Sequence, residues 1–551
     1  MYENSTLYKQ LLEEFTKEEV DTIFEKELQN RNITDYVDFV KNYKREYTEE
    51  NIVKYVDLAS YLQLDIQNEL SNYLLEKYIL KQQFLDKICN YHCIKYVIED
   101  LCKTEHKLKN KELLYISTYI NITELNLKNN YSIIDRGLKN CIHLQILNIS
   151  NNENIKSCEP FANSLIELIA YGYCEVDNNE LAKCINLQKL MVNNNTKIRS
   201  CNTFANSLIE LYASDFCGID DNGIKNCVNL QKLIVFNNSK ITTCYPFSNS
   251  LIKLNASSNC GINDNGLEYC TNLQILNASF NENIYTCFPF AQNLIELDAS
   301  HLSQINDIGI KNCIKLQKLN ANCNPNITTC QPFAKTLIEL NAIGCSGLND
   351  NSLLKCINLR RLIANCNFNI TTCQEFAQSL IELRALKSGI TDEGLKNCIN
   401  LQKLDAQDNE KITNCNPFQN SLIELDASGK CGITDRGLIN CCYLKSLKAV
   451  YNEKITTCSP FANNLIKLNA SYNCGIDDKG LENCINLQIL DANYNSKITT
   501  CKPFAENLIE LSAGGNCGIS DDGLKNCYKL KKLYSDENEK IIIKIENIFN
   551  R

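Results

Sequence analysis

The sequence contains few of the residues and motifs that mark an enzyme. Of its 551 residues none is Trp, two are Met and eight are Pro. Its four His do not share a neighbourhood with a nucleophile and an orienting acid, as a catalytic triad would require: His92, His106, His143 and His301. No phosphate-binding G-x-x-x-x-G-K-S/T loop, no G-x-S-x-G elbow and no H-E-x-x-H occurs. We therefore expect a protein without catalytic residues and without a cofactor.

Long apolar runs and an excess of positive charge are also missing. No stretch is apolar enough to span a bilayer, and the opening MYENSTLYKQ lacks the basic start and apolar core of a signal peptide. The formal net charge of -9 leaves no positive surface of the kind that binds nucleic acid. These absences predict a cytoplasmic protein with neither a membrane nor a nucleic acid as its partner.

Cysteine is abundant and regularly spaced. One column of the 32 Cys recurs every 43 residues, with a single step of 42, at Cys141, Cys184, Cys227, Cys270, Cys313, Cys356, Cys398, Cys441, Cys484 and Cys527. Each 43-residue unit divides into two halves of 21 or 22 residues that begin L-x-x-L-x-(A/V/I), and twenty such starts can be counted. A period of this length built on regularly spaced Leu is the signature of leucine-rich repeats.

The repeat predicts the fold class. Alternation of period two in L-x-x-L-x-A predicts one short strand per half, and one strand cannot bury its apolar face alone. We expect an α/β fold, a right-handed leucine-rich-repeat horseshoe with a parallel sheet of about 20 strands, over residues 119–535. Residues 1–118 lack the repeat and predict an all-α N-terminal module, which caps the first turn, and residues 536–551 predict a C-terminal cap.

The columns inside the repeat predict packing and turn contacts. Members of one Cys column lie roughly 10 Å apart, beyond the ~7 Å limit between Cα atoms for a disulfide, so reduced and buried thiols are expected. An Asn column is expected to bond backbone groups at the bend: Asn152, Asn195, Asn238, Asn281, Asn324, Asn367, Asn409, Asn452 and Asn495. An Asp column is expected to cap short helical turns: Asp135, Asp221, Asp264, Asp307, Asp350, Asp392, Asp435, Asp478 and Asp521.

The predicted concave face carries a charge ladder and two sets of residues that favour protein binding. At the third strand position, Lys or Arg alternates with Glu, which predicts a ladder of cross-strand ion pairs that fixes the register of the sheet. The fifth position is mostly Asn or Asp, but on four successive strands it holds Ile169, Met191, Tyr212 and Ile234. At the eighth position three consecutive turns hold Tyr451, Tyr472 and Tyr494. We predict that both sets contact a protein target, the alternative being drift among the repeats.

One group of residues has spacing that could suit a metal: Cys89, Cys93, Cys102 and His106. On a single helix Cys89 and Cys93 share a face, whereas Cys102 points to roughly the opposite side. We therefore interpret the stretch as a packed helix with buried thiols and expect no metal site.

Two parts of the sequence resemble known families. The stretch TEENIVKYVDLASYLQLDIQNELSNYL resembles the helical half of BTB/POZ domains and Skp-type ligase subunits through Val56, Leu58, Ala59, Tyr61, Leu62, Leu64 and Leu70. The repeats CGITDRGLINC and CGINDNGLEYC are similar to cysteine-containing leucine-rich repeats of F-box substrate receptors. The whole arrangement resembles F-box/LRR-repeat proteins of mimivirus-like giant viruses and of amoebae.

The resemblance implies a role beyond the fold. It implies a substrate adaptor for a ubiquitin ligase, whose N-terminal helices contact a cullin-type ligase subunit while the repeats hold the target, in the host cytoplasm if the source is viral. The alternative is a leucine-rich-repeat scaffold or host-interaction protein with no ubiquitin link. The residues themselves indicate the repeat array and name no target.

Overall fold

The computed structural model describes residues 121–542 and, before them, residues 109, 110, 113, 114 and 117. The chain divides into two compact units, residues 1–241 and 242–551, which are described one at a time. The stretch that resembles BTB and Skp-type helices lies outside the described residues, as do Cys89, Cys93, Cys102 and His106.

The described part of the first unit contains six short strands, each pairing in parallel with the next along the chain. They are β1 (Glu124–Asn126), β2 (Ile146–Asn148), β3 (Glu167–Ile169), β4 (Lys189–Met191), β5 (Glu210–Tyr212) and β6 (Lys232–Ile234). Helical turns connect them: α1 (Asn178–Leu181), α2 (Asp221–Ile224) and 3-10 turns at Asp135–Leu138, Glu159–Phe161 and Asn202–Phe204.

The second unit continues the same pattern with strands that are also parallel and paired in chain order. The strands are β7 (Lys253–Asn255), β8 (Ile275–Asn277), β9 (Glu296–Asp298), β10 (Lys318–Asn320), β11 (Glu339–Asn341), β12 (Arg361–Ile363), β13 (Glu382–Arg384), β14 (Lys403–Asp405), β15 (Glu424–Asp426), β16 (Ser446–Lys448), β17 (Lys467–Asn469), β18 (Ile489–Asp491), β19 (Glu510–Ser512) and β20 (Lys532–Tyr534). Its helices are α3 (Asp307–Ile310), α4 (Asp392–Leu395) and α5 (Asp435–Leu438). Its 3-10 turns are Tyr245–Phe247, Asn265–Leu267, Phe288–Phe290, Gln331–Phe333, Asp350–Leu353, Gln374–Phe376, Asn416–Phe418, Ser459–Phe461, Lys479–Leu481, Lys502–Phe504 and Asp521–Leu524.

The strands β1 to β19 bury their middle residue and leave the two outer residues partly or fully exposed. In β3, for example, Leu168 is fully buried while Glu167 and Ile169 lie on the other side of the strand. We call that side the open face of the sheet. Behind the sheet, the Leu that starts each repeat and a Phe column are buried, Phe161 and Phe333 among them. Short parallel strands paired in chain order confirm the predicted leucine-rich-repeat fold in both units.

The Asn column performs the role predicted for it. Asn238 is almost fully buried, and its Nδ2 donates to the carbonyl oxygen of Ala213 at 2.7 Å. Its Oδ1 accepts from the backbone N–H of Lys240 at 2.9 Å. One amide side chain therefore satisfies backbone groups of two turns that would otherwise be buried without partners.

The predicted role of the Asp column is wrong by one residue. The cap of α3 is Asn306, whose side chain accepts from the backbone N–H groups of Ile308 and Gly309, whereas Asp307 is the first helical residue. Asp307 faces the following turn, where Oδ1 accepts from the N–H of Thr328 at 2.8 Å and Oδ2 from its hydroxyl at 2.5 Å. The residue before the Asp has the extended backbone that a cap requires, so the Asp joins neighbouring turns instead.

The contact with the following turn recurs along the column, and Asp264 and Asp478, which stand at the N-cap position of their 3-10 turns, make no side-chain cap bond. The carboxylate accepts from a backbone N–H of the following turn at Asp135, Asp264, Asp350, Asp392, Asp435, Asp478 and Asp521. Asp221 likewise lies one residue after the cap of α2, Asp220.

Cysteines of the described residues are all free, and most are buried, as the column spacing predicts. Burial raises the pKa of Cys431 to about 12, because a thiolate is poorly solvated in an apolar core. Cys345, Cys366 and Cys442 are exposed. In the described part of the chain we also find no helix with the length and apolar character needed to cross a bilayer.

Candidate protein-binding surfaces on the sheet

The four apolar residues of the first unit form one continuous column on the open face. Ile169, Met191, Tyr212 and Ile234 end β3, β4, β5 and β6, and each lies directly opposite the next in strand register. All four are half-buried. Since neighbouring strands are ~4.8 Å apart, the side chains make an unbroken apolar stripe, which we call the apolar column.

Most other strands end with Asn or Asp, whose side chain bonds to the backbone two residues further on, and the residues of the apolar column cannot make this bond. In the neighbouring β2, Oδ1 of Asn148 accepts from the backbone N–H of Ser150 at 3.0 Å, and Asn or Asp on other strands makes the same bond. Ile169 and Tyr212 cannot accept such a bond. The amide of Tyr171 bonds instead to the Ser150 hydroxyl, and that of Ser214 bonds to Oδ1 of Asn193.

Charged side chains border the apolar column and hold Tyr212 in place. Lys232 Nζ lies 4.9 Å from the centre of the Tyr212 ring, and the Tyr212 hydroxyl donates to Glu210 at 3.2 Å. Hydrogen bonds to Tyr212 and Glu210 raise the pKa of Lys232, so its ammonium group stays charged. Next to Met191, burial raises the pKa of Tyr171, whose hydroxyl lies 3.7 Å from the Met191 sulfur.

The ion pairs predicted at the third strand position are present. They join Lys189 to Glu167, Lys232 to Glu210, Lys318 to Glu339, Arg361 to Glu382, Lys403 to Glu424 and Lys532 to Glu510. Their side chains are partly exposed, so each pair contributes only ~0.2–1 kcal/mol. The two pairs on β3–β6, Lys189 with Glu167 and Lys232 with Glu210, fix the positions of the charges at the edge of the apolar column more than they stabilise the fold.

The three tyrosines of the second unit stack on one another. Ring centres of Tyr451 and Tyr472 are 4.5 Å apart, and those of Tyr472 and Tyr494 are 5.1 Å apart, with nearly parallel planes. We call this set the tyrosine ladder. The Tyr494 hydroxyl donates to Glu537 at 3.2 Å, which raises the pKa of Tyr494. The rings are 53%, 38% and 43% exposed, so the stack presents its ring edges to solvent.

All three tyrosines have a left-handed backbone, with φ of 58°, 59° and 57°. Equivalent turns carry residues such as Asn151, Asp215 and Gly429, which adopt this conformation readily. A bulky side chain with positive φ is uncommon and costs about 1 kcal/mol. Three in succession therefore oppose local backbone preference, as is typical of functional positions.

Two further features of the second unit were not predicted from the sequence. Phe280 and His301, in the same left-handed column, stack with ring centres 4.2 Å apart. On the open face of β12–β16, a shallow hollow of about 330 Å³ is lined by charged residues: Arg361, Glu382, Arg384, Lys403, Asp405, Glu424, Asp426 and Lys448. The signal was present in the sequence, since Arg384 and Lys448 stand where other strands have Asn or Asp.

Among the residues that the structure describes, no three His, Cys, Asp or Glu side chains are grouped so as to hold a metal ion. Burial raises the pKa of Asp405, with the nearby Asp426 charge adding to the effect, while the N–H of Gln407 bonds to it. This carboxylate pair has a structural explanation in the register of β14 and β15.

Two solved structures are similar to this chain. No protein-family model and no curated protein matches the chain. The chain is similar to an internalin (inlF) from Listeria monocytogenes, at 16% identity and a TM-score of 0.29, over 80% of this chain and 92% of that chain. It is also similar to the functional domain of InlJ from Listeria monocytogenes, which includes a cysteine ladder, at 19% identity and a TM-score of 0.40, over 66% of this chain and 74% of that chain. At these identities the similarity concerns the fold alone.

Proposed function

We propose that the protein is a non-catalytic interaction protein that binds a protein partner on the open face of its sheet. The apolar column carries this proposal, because four successive strands replace a hydrogen-bonding Asn or Asp with an apolar side chain. Each replacement removes the local acceptor on its own strand, and the amides of Tyr171 and Ser214 bond to the neighbouring turn instead. A contiguous apolar stripe bordered by charges is typical of a surface that a partner covers.

The contacts around Tyr212 suit it to be the principal anchor. Lys232 and Glu210 hold the ring before a partner arrives, so little side-chain freedom is lost on binding. Met191, beside it, has a flexible side chain that adapts to the shape of the partner. A few such anchors supply most of the binding free energy of an interface.

The tyrosine ladder is proposed as a second contact for a protein partner. Its three side chains are partly exposed, and stacking keeps the rings from moving independently. Tyr is among the residues most enriched at the centres of interfaces.

Photo-crosslinking tests the principal proposal. With p-benzoylphenylalanine in place of Met191, we expect a protein to be captured from an extract of cells that produce this chain. The same amino acid in place of Ile363, which holds the equivalent position on β12, is the matched control and should not capture it. Capture should be lost when Ile169, Tyr212 and Ile234 are changed to Asn.

The Asn variant is a stringent comparison, because Asn occupies this position on other strands and restores the local hydrogen bond. We expect its thermal stability to equal or exceed that of the unchanged protein. Capture that persists in the Asn variant, or that is as strong from Ile363, would contradict the proposal.

The role as a ubiquitin-ligase adaptor is a finer proposal that depends on the sequence resemblance. The supporting residues lie in the predicted module 1–118, outside the described part of the chain. Deleting residues 1–105 should remove a cullin-type subunit from the purified complex and leave the protein captured through Met191. If no cullin-type subunit copurifies with the full chain, the scaffold or host-interaction role without ubiquitin stands alone.

A further inference from the structure

A second apolar surface lies on the helical-turn side of the second unit, away from the strands. Its five members, which we call the outer apolar patch, are Tyr245, Tyr269, Tyr285, Phe288 and Ile308. Their side chains are between 51% and 74% exposed. They are positioned by the 3-10 turns Tyr245–Phe247, Asn265–Leu267 and Phe288–Phe290 and by α3.

Comparison among the repeats shows that every one of these residues is an exception. The position of Tyr245 and Phe288 is polar elsewhere, holding Glu159, Asn202, Gln331, Gln374, Asn416, Ser459 and Lys502. The position of Tyr269 is Asn or Lys elsewhere: Asn140, Lys183, Asn226, Asn312, Lys355, Asn397, Asn440, Asn483 and Asn526. The position of Tyr285 holds Lys156, Arg199, Thr242, Thr328, Thr371, Thr413, Thr456 and Thr499. The position of Ile308 holds Arg136, Asn179, Asn222, Asn265, Asn351, Glu393, Arg436, Lys479 and Asp522.

The exceptions occur together in space and nowhere else in these four columns. The rings of Tyr245 and Tyr269 meet edge to face, with centres 5.5 Å apart. The turn that carries Tyr285 and Phe288 packs against α3, because the Cys287 N–H donates to the carbonyl oxygen of Gly309 at 2.9 Å. Random drift would scatter apolar substitutions over ten repeats, whereas here all of them fall between residues 245 and 308.

One of the exceptions also changes the electrostatics. In five other turns Oδ2 of the column Asp accepts a Thr hydroxyl, as at Asp307, Asp350, Asp392, Asp435 and Asp478. Tyr285 replaces that Thr, so Asp264 bonds only through Oδ1 to the backbone N–H groups of Tyr285 and Thr286. The second carboxylate oxygen is left for another donor.

The charges near the patch are predominantly negative. Glu268 directly precedes Tyr269, Glu282 is three residues before Tyr285, and both are exposed. With Asp264 and Asp307 they outnumber Lys311 and Lys315, which follow α3. Aromatic rings close to carboxylates favour a cationic side chain, since both the ring faces and the carboxylates attract it.

We propose that the outer apolar patch is a second protein-docking surface, which takes a segment whose apolar side chains flank a Lys or Arg that pairs with Asp264. Exposed apolar area of this kind marks an interaction site, and the unpaired carboxylate oxygen specifies the charge of the occupant. This surface is distinct from the apolar column and the tyrosine ladder, so it does not depend on the function proposed for them.

A phage-displayed library of random 12-residue peptides, selected against the immobilised full chain, is the test. The comparison variant carries Tyr245→Gln, Tyr269→Asn, Tyr285→Thr, Phe288→Gln and Ile308→Asn. Each new residue occurs at the equivalent position of another repeat, so the variant should fold, and circular dichroism with a thermal melt checks this. We expect the unchanged chain to enrich peptides that combine apolar residues with Lys or Arg, and the variant to lose that enrichment.

The charge is tested with one enriched peptide, synthesised and titrated by fluorescence anisotropy. Asp264→Asn keeps Oδ1 as an acceptor for the backbone but removes the charge, and should weaken binding about tenfold, as expected for a charged hydrogen bond. Asp350→Asn, the same change in a repeat that has polar residues at the positions of the outer apolar patch, is the matched control and should leave the affinity unchanged.

Three results would overturn the proposal. The first is equal enrichment by the unchanged chain and the five-residue variant. The second is enrichment of acidic or purely apolar peptides, or an affinity that Asp264→Asn leaves unchanged. The third is a dimer in light scattering that the five-residue variant abolishes, since the occupant would then be a second copy of the chain.

Discussion

Replacing Asn324 tests how much of the stability of this fold depends on the Asn column. Asn324 is fully buried, and its Nδ2 donates to the carbonyl oxygens of Ala299 at 2.7 Å and Ile305 at 3.1 Å. Its Oδ1 accepts from the N–H of Asn326 at 2.9 Å. In Asn324→Ala all three backbone groups lose their partner.

The expected magnitude follows from which of these groups water can reach. Asn326 is exposed, so its N–H can be hydrated, whereas Ala299 and Ile305 are fully buried. A buried polar group without a partner costs ~1–3 kcal/mol. We therefore expect Asn324→Ala to lower the free energy of unfolding by about 4 kcal/mol, with Asn326→Ala within about 0.5 kcal/mol of the unchanged protein.

Urea unfolding combined with hydrogen exchange measures both the size and the place of the effect. Because repeat arrays are stabilised by neighbouring turns, the loss should appear first as faster exchange of amides between residues 299 and 327. If Asn324→Ala unfolds within about 1 kcal/mol of the unchanged protein and exchanges at the same rates, the explanation of the Asn column is refuted.

Three further predictions concern other features of the repeats. Tyr472→Asn loses two ring contacts of ~0.5–1.5 kcal/mol each but relieves left-handed strain of about 1 kcal/mol, so a thermal melt should show a loss of at most about 2 kcal/mol. Burial raises the pKa of Cys431 in the folded protein to about 12, so the stability that this thiol contributes is complete below the unfolded thiol pKa of ~8.5 and is lost as the pH rises toward 12. Over that range the free energy of unfolding, measured in urea, should fall by about 1.4 kcal/mol per pH unit for each such thiol. In Cys431→Ala it should fall by less. Gly394→Ala places a methyl group against the backbone carbonyl of Thr371, so it should lower the free energy of unfolding in urea by at least about 1–3 kcal/mol. Gly394→Ser should lower it by less, because Ser352 fills the equivalent position in another repeat and its hydroxyl donates to the neighbouring turn.

The parts of the fold that depend on local pattern were predictable from the sequence. Alternation around each L-x-x-L marked the strands, and the one-turn offset of Lys and Glu predicted the ion pairs. The role of the Asp column was not predictable to the residue. Whether Asn306 or Asp307 caps α3 depends on which of them has an extended backbone, and both types of side chain are good caps.

The sequence alone determined the repeat, its register and the identity of the unusual residues, because those follow from period and from comparison of one turn with the next. Tertiary structure decided what the unusual residues do together. Stacking of the turns brought Tyr451, Tyr472 and Tyr494 into one ladder with left-handed backbones. Packing between turns also assembled the outer apolar patch from positions up to 63 residues apart, Tyr245 to Ile308, and placed Asp264 against Tyr285, which stands where other repeats have Thr. Such proximity depends on how turns lie against each other, which local residue preferences do not specify.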